Sequence, residues 1–171
     1  MTVNQKPHLH QLVMCVNVFI RKDGQYLMLK RASGKNFAPD VVHPIGGKIE
    51  PDEPPFLAAQ REVFEEAEIK IKNIRLEAVV LELKPYRVTE GNWLIFHFTA
   101  DYDSGQIGQT DEGELVMLEE KEIYKQNLFP SIREIIHHIF DPHDGTVFAA
   151  FERDKGGKIN QKTKRIDICP V

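Results

Sequence analysis

Apolar residues fall into blocks whose spacing changes along the chain. Residues 12–20 (LVMCVNVFI) are nearly continuous in apolar and β-branched side chains, which predicts a buried strand. Arg21-Lys22-Asp23-Gly24 is hairpin-turn chemistry, and residues 25–31 (QYLMLKR) return as a second strand. Residues 32–46 are rich in Gly, Pro, Asn and Asp and read as a loop ending at Gly46-Gly47. A helix is predicted from Pro54 to Ala67. Strands are expected at 74–83 and 93–100, then a polar, Gly-rich mobile loop at 101–113 and a short strand at 114–118. Ile132, Ile135, Ile136 and Ile139 form a helical stripe over 131–140 behind a Ser131 cap. The tail, 145–171, reads as a hairpin around Asp154–Lys158. Mixed strands with two helices predict an α/β protein in which helices sandwich a mixed sheet.

The Pro54–Glu68 segment carries the chemistry. Pro54 and Pro55 suit a first helical turn, and Asp52 and Glu53 suit its positive end. At roughly 100° per residue, Phe56, Leu57, Ala59, Val63, Phe64 and Ala67 gather on one side. Arg61, Glu62, Glu65, Glu66 and Glu68 take the other. An ordinary solvated face is the plain alternative. It fits poorly, because Glu62, Glu65 and Glu66 repel at i, i+3 and i+4 and lie in the half of the helix whose dipole disfavours acids. Only Arg61 is near enough in sequence to relieve them. Such a cluster points to a hard cation such as Mg²⁺ or Mn²⁺ with oxygen ligands.

Composition narrows the class. The chain has 171 residues, a length that predicts one domain, 1–171. Its net charge of −4 argues against a nucleic-acid polymer as partner. No apolar run reaches the length of a membrane helix, and the start, MTVNQKPHLHQ, has no signal-like stretch. Cys15 and Cys169 form no metal-type spacing, so a cytoplasmic protein is expected.

Residues 47–69 resemble the Nudix box, G-x5-E-x7-R-E-U-x-E-E-x-G-U, where U is a bulky apolar residue. Gly47, Glu53, Arg61-Glu62-Val63, Glu65-Glu66 and Ile69 fall at the defined positions. Glu68 stands where the pattern has Gly, a residue that permits a left-handed helix exit. The resemblance implies a Nudix fold, an α/β/α sandwich around a mixed β-sheet, and cleavage of a nucleoside diphosphate linked to another moiety. It implies that Glu62, Glu65 and Glu66 are metal ligands, with the Gly46 carbonyl as a further candidate. Arg61 and Glu53 would pair to hold loop against helix. A further acid is expected from the loop before the late strand, with Glu112 ahead of Glu114.

Substrate signals are weaker. Gly46-Gly47-Lys48-Ile49-Glu50 resembles the string of MutT-type enzymes, which sanitise oxidised nucleoside triphosphates such as 8-oxo-dGTP. Pro85 and Tyr86 fall near markers for two other substrate classes and cancel. Lys30 and Arg31 end a strand that runs toward the box and are phosphate candidates, with Gly47 and Lys48 beside them. A plain strand end is the alternative. Phe37 and His43 could stack on a base, although His43 also reads as a hydrogen-bonded loop residue. Trp93 and Phe96 read as core, His137-His138 as structural, and Lys155–Arg165 as a solvated basic hairpin. The reading is a Mg²⁺- or Mn²⁺-dependent pyrophosphohydrolase acting on a small nucleotide, most simply a nucleoside triphosphate. An ADP-ribose or nucleotide-sugar pyrophosphatase and a non-catalytic nucleotide sensor stand as alternatives, and a homodimer is left open.

Overall fold

The structure, a computed structural model, describes residues 12–34, 38–83, 91–141, 145–154 and 156–170. Phe37, Pro85, Tyr86 and Lys155 lie outside the described residues. In chain order the elements are β1 (Leu12–Lys22), β2 (Gln25–Arg31), β3 (Val42–Pro44), α1 (Pro55–Ala67), β4 (Ile69–Leu83) and β5 (Asn92–Gly105). Then follow β6 (Gly113–Leu118), α2 (Glu120–Ile123), α3 (Pro130–Phe140), β7 (Thr146–Glu152) and β8 (Arg165–Cys169). The strands form one mixed sheet of order β3-β2-β1-β5-β4-β7-β8, with β6 on β2. β1 pairs parallel to β5 and β4 parallel to β7, and the other pairs are antiparallel.

The turn between β1 and β2 explains the first hairpin. Asp23 (φ 50°) and Gly24 (φ 80°) are both left-handed, the geometry of a two-residue turn matched to strand twist. β2 then leaves β1. Its first residues, 25–27, pair with β1, while Met28–Lys30 pair with β3 on that same edge. The chain after β3 fills the gap by running beside β1. Val18 N–H donates to Ile45 O (2.7 Å), Val16 N–H to Gly47 O (2.9 Å) and Ile49 N–H to Met14 O (2.9 Å). The Gly46–Lys48 segment is thereby fixed to the centre of the sheet rather than left as a free loop.

Alternation along β1 sends side chains into two cores. Val16, Val18 and Ile20 pack toward α1 with Ala58, Ala59 and Val63. Cys15 and Phe19 pack the other way, with Ile132, Ile135 and Ile136 of α3. Helices thus cover both faces of a mixed sheet, the α/β/α sandwich expected.

Several boundaries differ from those expected. β4 begins at Ile69, and β5 continues through Asp101–Gly105 into the stretch expected to be loop. The two extensions hold each other, Ile69 opposite Gly105 and Lys70 opposite Ser104, with register shifts that pattern counting does not foresee. Ser131 is not a cap. Phe129 takes that place, Pro130 fills the first turn, and Ser131 is buried inside the helix. β7 and β8 form the C-terminal hairpin, Thr146 opposite Cys169 and Ala150 opposite Arg165, with Asp154 Oδ1 accepting the Gly156 and Lys158 N–H groups in the connection.

His97 lies fully buried on β5, where its Nδ1 accepts from Asn17 Nδ2 at 3.4 Å. Burial lowers its pKa from 6.5 to about 3. Its folded pKa lies below its unfolded value, so the unfolded chain takes up the proton first. The neutral ring's contribution is whole above pH 6.5 and is lost as pH falls from there toward 3. Relative to His97→Gln, the wild type is expected to lose about 2 kcal/mol of unfolding free energy between pH 7 and pH 5. Paired urea titrations of the two proteins measure this, and parallel pH curves would show that His97 is not held neutral.

Candidate active site

α1 is rotated relative to its hydrophobic expectation. Ala58, Ala59, Val63 and Ala67 meet the sheet, and their small size lets the helix approach it closely. Phe56, Leu57 and Phe64 are instead exposed, at 48%, 51% and 57%. The same rotation turns Glu62 and Glu66 inward, whereas Glu65 remains more than half exposed. The helix ends at Glu68, which is left-handed (φ 58°) with its N–H on Phe64 O. It keeps the exit that glycine would give at a cost of roughly 1–2 kcal/mol for a residue with a Cβ.

Arg61 ties helix to loop. Its Nε and one terminal nitrogen donate to the two Glu53 oxygens, both at 2.9 Å, and that nitrogen also donates to Lys48 O at 2.9 Å. The other terminal nitrogen donates to Glu62 Oε1 (2.9 Å) and Glu65 Oε2 (3.0 Å). The Arg61 guanidinium holds the Glu53 carboxyl below the usual carboxylate range. Repulsion between Glu62 and Glu65 is therefore relieved to a degree that sequence spacing did not suggest. Burial still raises the Glu62 carboxyl above its ordinary value, against the pull of Arg61.

Glu66 is different. Its Oε2 accepts the Gly46 N–H at 3.3 Å. Burial pushes its pKa up to about 7, that hydrogen bond lowers it, and the Glu62 and Glu112 carboxylates raise it further. Glu112 pairs with Arg31 at 3.4 Å. Glu114 instead lies in β6 opposite Lys30. Of the two loop acids, the structure brings Glu112 into electrostatic contact with Glu66.

The donor set suits a hard cation by chemistry, since its side-chain donors are all carboxylates and one of them is held at about 7. Among the described residues, no three acidic, histidine or cysteine groups converge as a formed metal site. Arg61 draws one oxygen each from Glu62 and Glu65.

On the α3 face of the sheet, a cavity of about 230 Å³ opens beside Gly46, Gly47 and Lys48. Arg31 lines it and also a second hollow, which it shares with Lys30, Thr110 and Glu114; Lys30 lines only the second. His43, Trp93, Glu82 and Arg153 also line the cavity. Glu82 and Arg153 form an ion pair of 3.1 Å. Neither was a candidate from sequence, although a signal exists. Glu82 continues the period-two face of Ala78 and Val80, and Arg153 that of Ala149 and Phe151, so each places a charge on a buried face. Trp93, expected as core, packs against the α3-side core and also forms part of the cavity wall.

A sequence model of the NUDIX domain matches residues 9–139. The NAD-capped RNA hydrolase NudC of Shigella dysenteriae serotype 1 (strain Sd197) is 34% identical over 97 residues, 57% of this chain. The chain spans 34% of that relative's length. The NudC of Escherichia coli O1:K1 / APEC is 33% identical over the same share of each. A solved structure, the mMutator MutT protein from Bacillus halodurans, superposes with TM-score 0.76 and 20% identity, covering 91% of this chain and 97% of that one. The MutT protein from Methanosarcina mazei Go1 superposes at TM-score 0.62 with 21% identity, over 77% and 94%. These superpositions define the fold class, a mixed sheet between helices. The chain belongs to the Nudix domain family.

Proposed function

We propose that the protein is a divalent-metal-dependent pyrophosphohydrolase, using Mg²⁺ or Mn²⁺. Its substrate is a small nucleoside diphosphate derivative, with a nucleoside triphosphate, ordinary or oxidised, cleaved to monophosphate and pyrophosphate. The observation that carries this reading is Glu66, a half-buried carboxyl fixed to the Gly46 N–H and pressed by Glu62 and Glu112, at the segment beside which the cavity opens. Glu62, Glu65, Glu66, Glu112 and the Gly46 carbonyl would hold the ion. When bound, such an ion neutralises phosphate oxygens and lowers the pKa of a coordinated water.

The chain's own residues supply the positioning. Lys48 and Arg31, at the cavity wall, offer cations to a phosphate chain. Arg61 and Glu53 hold the loop that carries Gly46 and Gly47 against α1, so the substrate meets a fixed frame. Glu112 reaches the same region from the segment before β6, paired to Arg31. The free cysteines Cys15 and Cys169 suit the reducing cytoplasm. Among the described residues, no helix is long and apolar enough to cross a membrane. A second reading, cleavage of the pyrophosphate of a dinucleotide or ADP-ribose-like compound, draws support from the similarity to NudC.

The test is a hydrolysis panel of nucleoside triphosphates, NAD, ADP-ribose and nucleotide sugars, with products resolved. EDTA is expected to abolish turnover, and Mg²⁺ or Mn²⁺ to restore it. Monophosphate with pyrophosphate is the expected product pair. Full turnover in chelator would sink the metal assignment, and an inactive panel with retained nucleotide binding would favour a sensor.

A further inference from the structure

The cavity beside Gly46–Lys48 carries more polar chemistry than a phosphate chain needs. Its wall includes the Glu82–Arg153 pair, whose side chains are only 6% and 10% exposed. A buried ion pair is a poor source of stability, because removing both charges from water offsets their attraction. Apolar side chains would continue the Ala78–Val80 and Ala149–Phe151 faces without that cost. His43 is also buried there. Its Nδ1–H donates to Pro44 O at 2.6 Å, and burial lowers its pKa to about 4, so the ring is neutral. Its Nε2 is then an acceptor, and among the described residues no hydrogen-bond partner reaches it. Trp93 and Phe129 add flat apolar walls. Flat walls beside a guanidinium, a carboxylate and an open acceptor suit a planar heterocycle with hydrogen-bonding edges.

Arg153 also comes from outside the matched NUDIX domain, which ends at residue 139. β7 brings it there by pairing in parallel with β4, Glu82 opposite Phe151. We propose that the Glu82–Arg153 pair reads the substrate base, with Arg153 donating to an exocyclic carbonyl and Glu82 accepting from the neighbouring ring N–H. Guanine, hypoxanthine and uracil present that lactam edge. Adenine and cytosine reverse it, turning an amine toward the guanidinium and a ring lone pair toward the carboxylate. The C-terminal hairpin thus sets substrate choice, while α1 carries the acids. This rests on the function proposed above, with the cavity as the nucleoside end of that site.

Trp93 is the chain's only tryptophan, so its fluorescence reports the cavity directly. The test titrates the full chain in EDTA with GMP, IMP, UMP, AMP and CMP. The three lactam monophosphates are expected to bind roughly 10–100-fold more tightly than AMP and CMP. The double variant Glu82→Gln/Arg153→Gln leaves no lone charge buried, and is expected to keep the urea midpoint and lose the preference. Arg153→Lys keeps a charge without the planar fork and should weaken the preference, which covers the case in which the double variant does not fold. Equal binding of all five, no fluorescence change with any, or an undiminished preference in the variants would overturn the proposal. Binding is read here without metal or turnover. A wild type that shows the preference but hydrolyses nothing sinks only the enzymatic reading, and hydrolysis without base preference sinks only this one.

Discussion

Glu66→Gln is expected to lower kcat by roughly 10²–10⁴-fold, the range seen when one charged group is removed from a catalytic centre. The amide keeps the shape and can still accept the Gly46 N–H, so the loop stays where it is. What goes is the negative charge, at the carboxyl that burial, Glu62 and Glu112 hold at about 7. The urea midpoint in EDTA is expected to hold or rise, because a half-buried group that resists ionisation has been replaced by a neutral one. Glu65→Gln should weaken catalysis through the same loss of charge, but Glu65 is 56% exposed and its charge is screened by water and by Arg61. The Glu66 variant is therefore the more damaged of the two. Steady-state kinetics across a Mg²⁺ titration, beside urea curves, separates these effects. Near wild-type turnover in both variants would return α1 to a plain surface helix.

The acids of α1 were legible because their signal is local. A fixed spacing over 47–69 names the residues, and helical geometry does the rest. Their burial was not legible. A hydrophobic wheel seeks the largest side chains and turns Phe64 and Leu57 inward. The sheet instead takes Ala58, Ala59 and Val63, which admit a closer approach. Only packing against β1 and β4 decides this, and it carries Glu62 and Glu66 with it. The early part of β4 was hidden for a related reason. Lys70, Lys72 and Asn73 look like loop, and become strand because β5 extends to meet them. The pairing of Glu82 with Arg153 spans 71 positions and depends on the order of β4 and β7 in the sheet. No local pattern contains it, although each charge stands out on an otherwise apolar face. Among phosphate candidates, Arg31 lines the cavity beside Gly46 and Lys30 does not, and that too requires knowing which face holds the cavity.

Gly46→Ala and Gly47→Ala are expected to fail in opposite ways. A Cβ on Gly46 would lie 2.1 Å from Val16 O and 2.9 Å from Asn17 Cα, both backbone atoms of the central strand. Neither can yield alone, since Val16 and Val18 N–H groups bind Gly47 O and Ile45 O on either side. Relief means prising the segment from β1, with an expected loss of about 2–4 kcal/mol of unfolding free energy. A Cβ on Gly47 would lie 2.5 Å from Glu62 Cδ and from both of its oxygens. That obstacle is the end of a flexible side chain, so Glu62 moves aside and the fold should hold to within about 1 kcal/mol. The carboxylate is then displaced from its place beside Gly46-Gly47. A shift of that size is expected to lower kcat by roughly 10²-fold. Urea midpoints and kcat, measured on both variants, read the two outcomes. A Gly47→Ala protein with wild-type turnover would show that Glu62 need not sit against the loop. The decisive comparison adds Glu62→Gln to Gly47→Ala. Both changes act on one carboxylate, so the double variant should be little slower than either single one. Fully multiplicative losses would place Glu62 and Gly47 in separate roles.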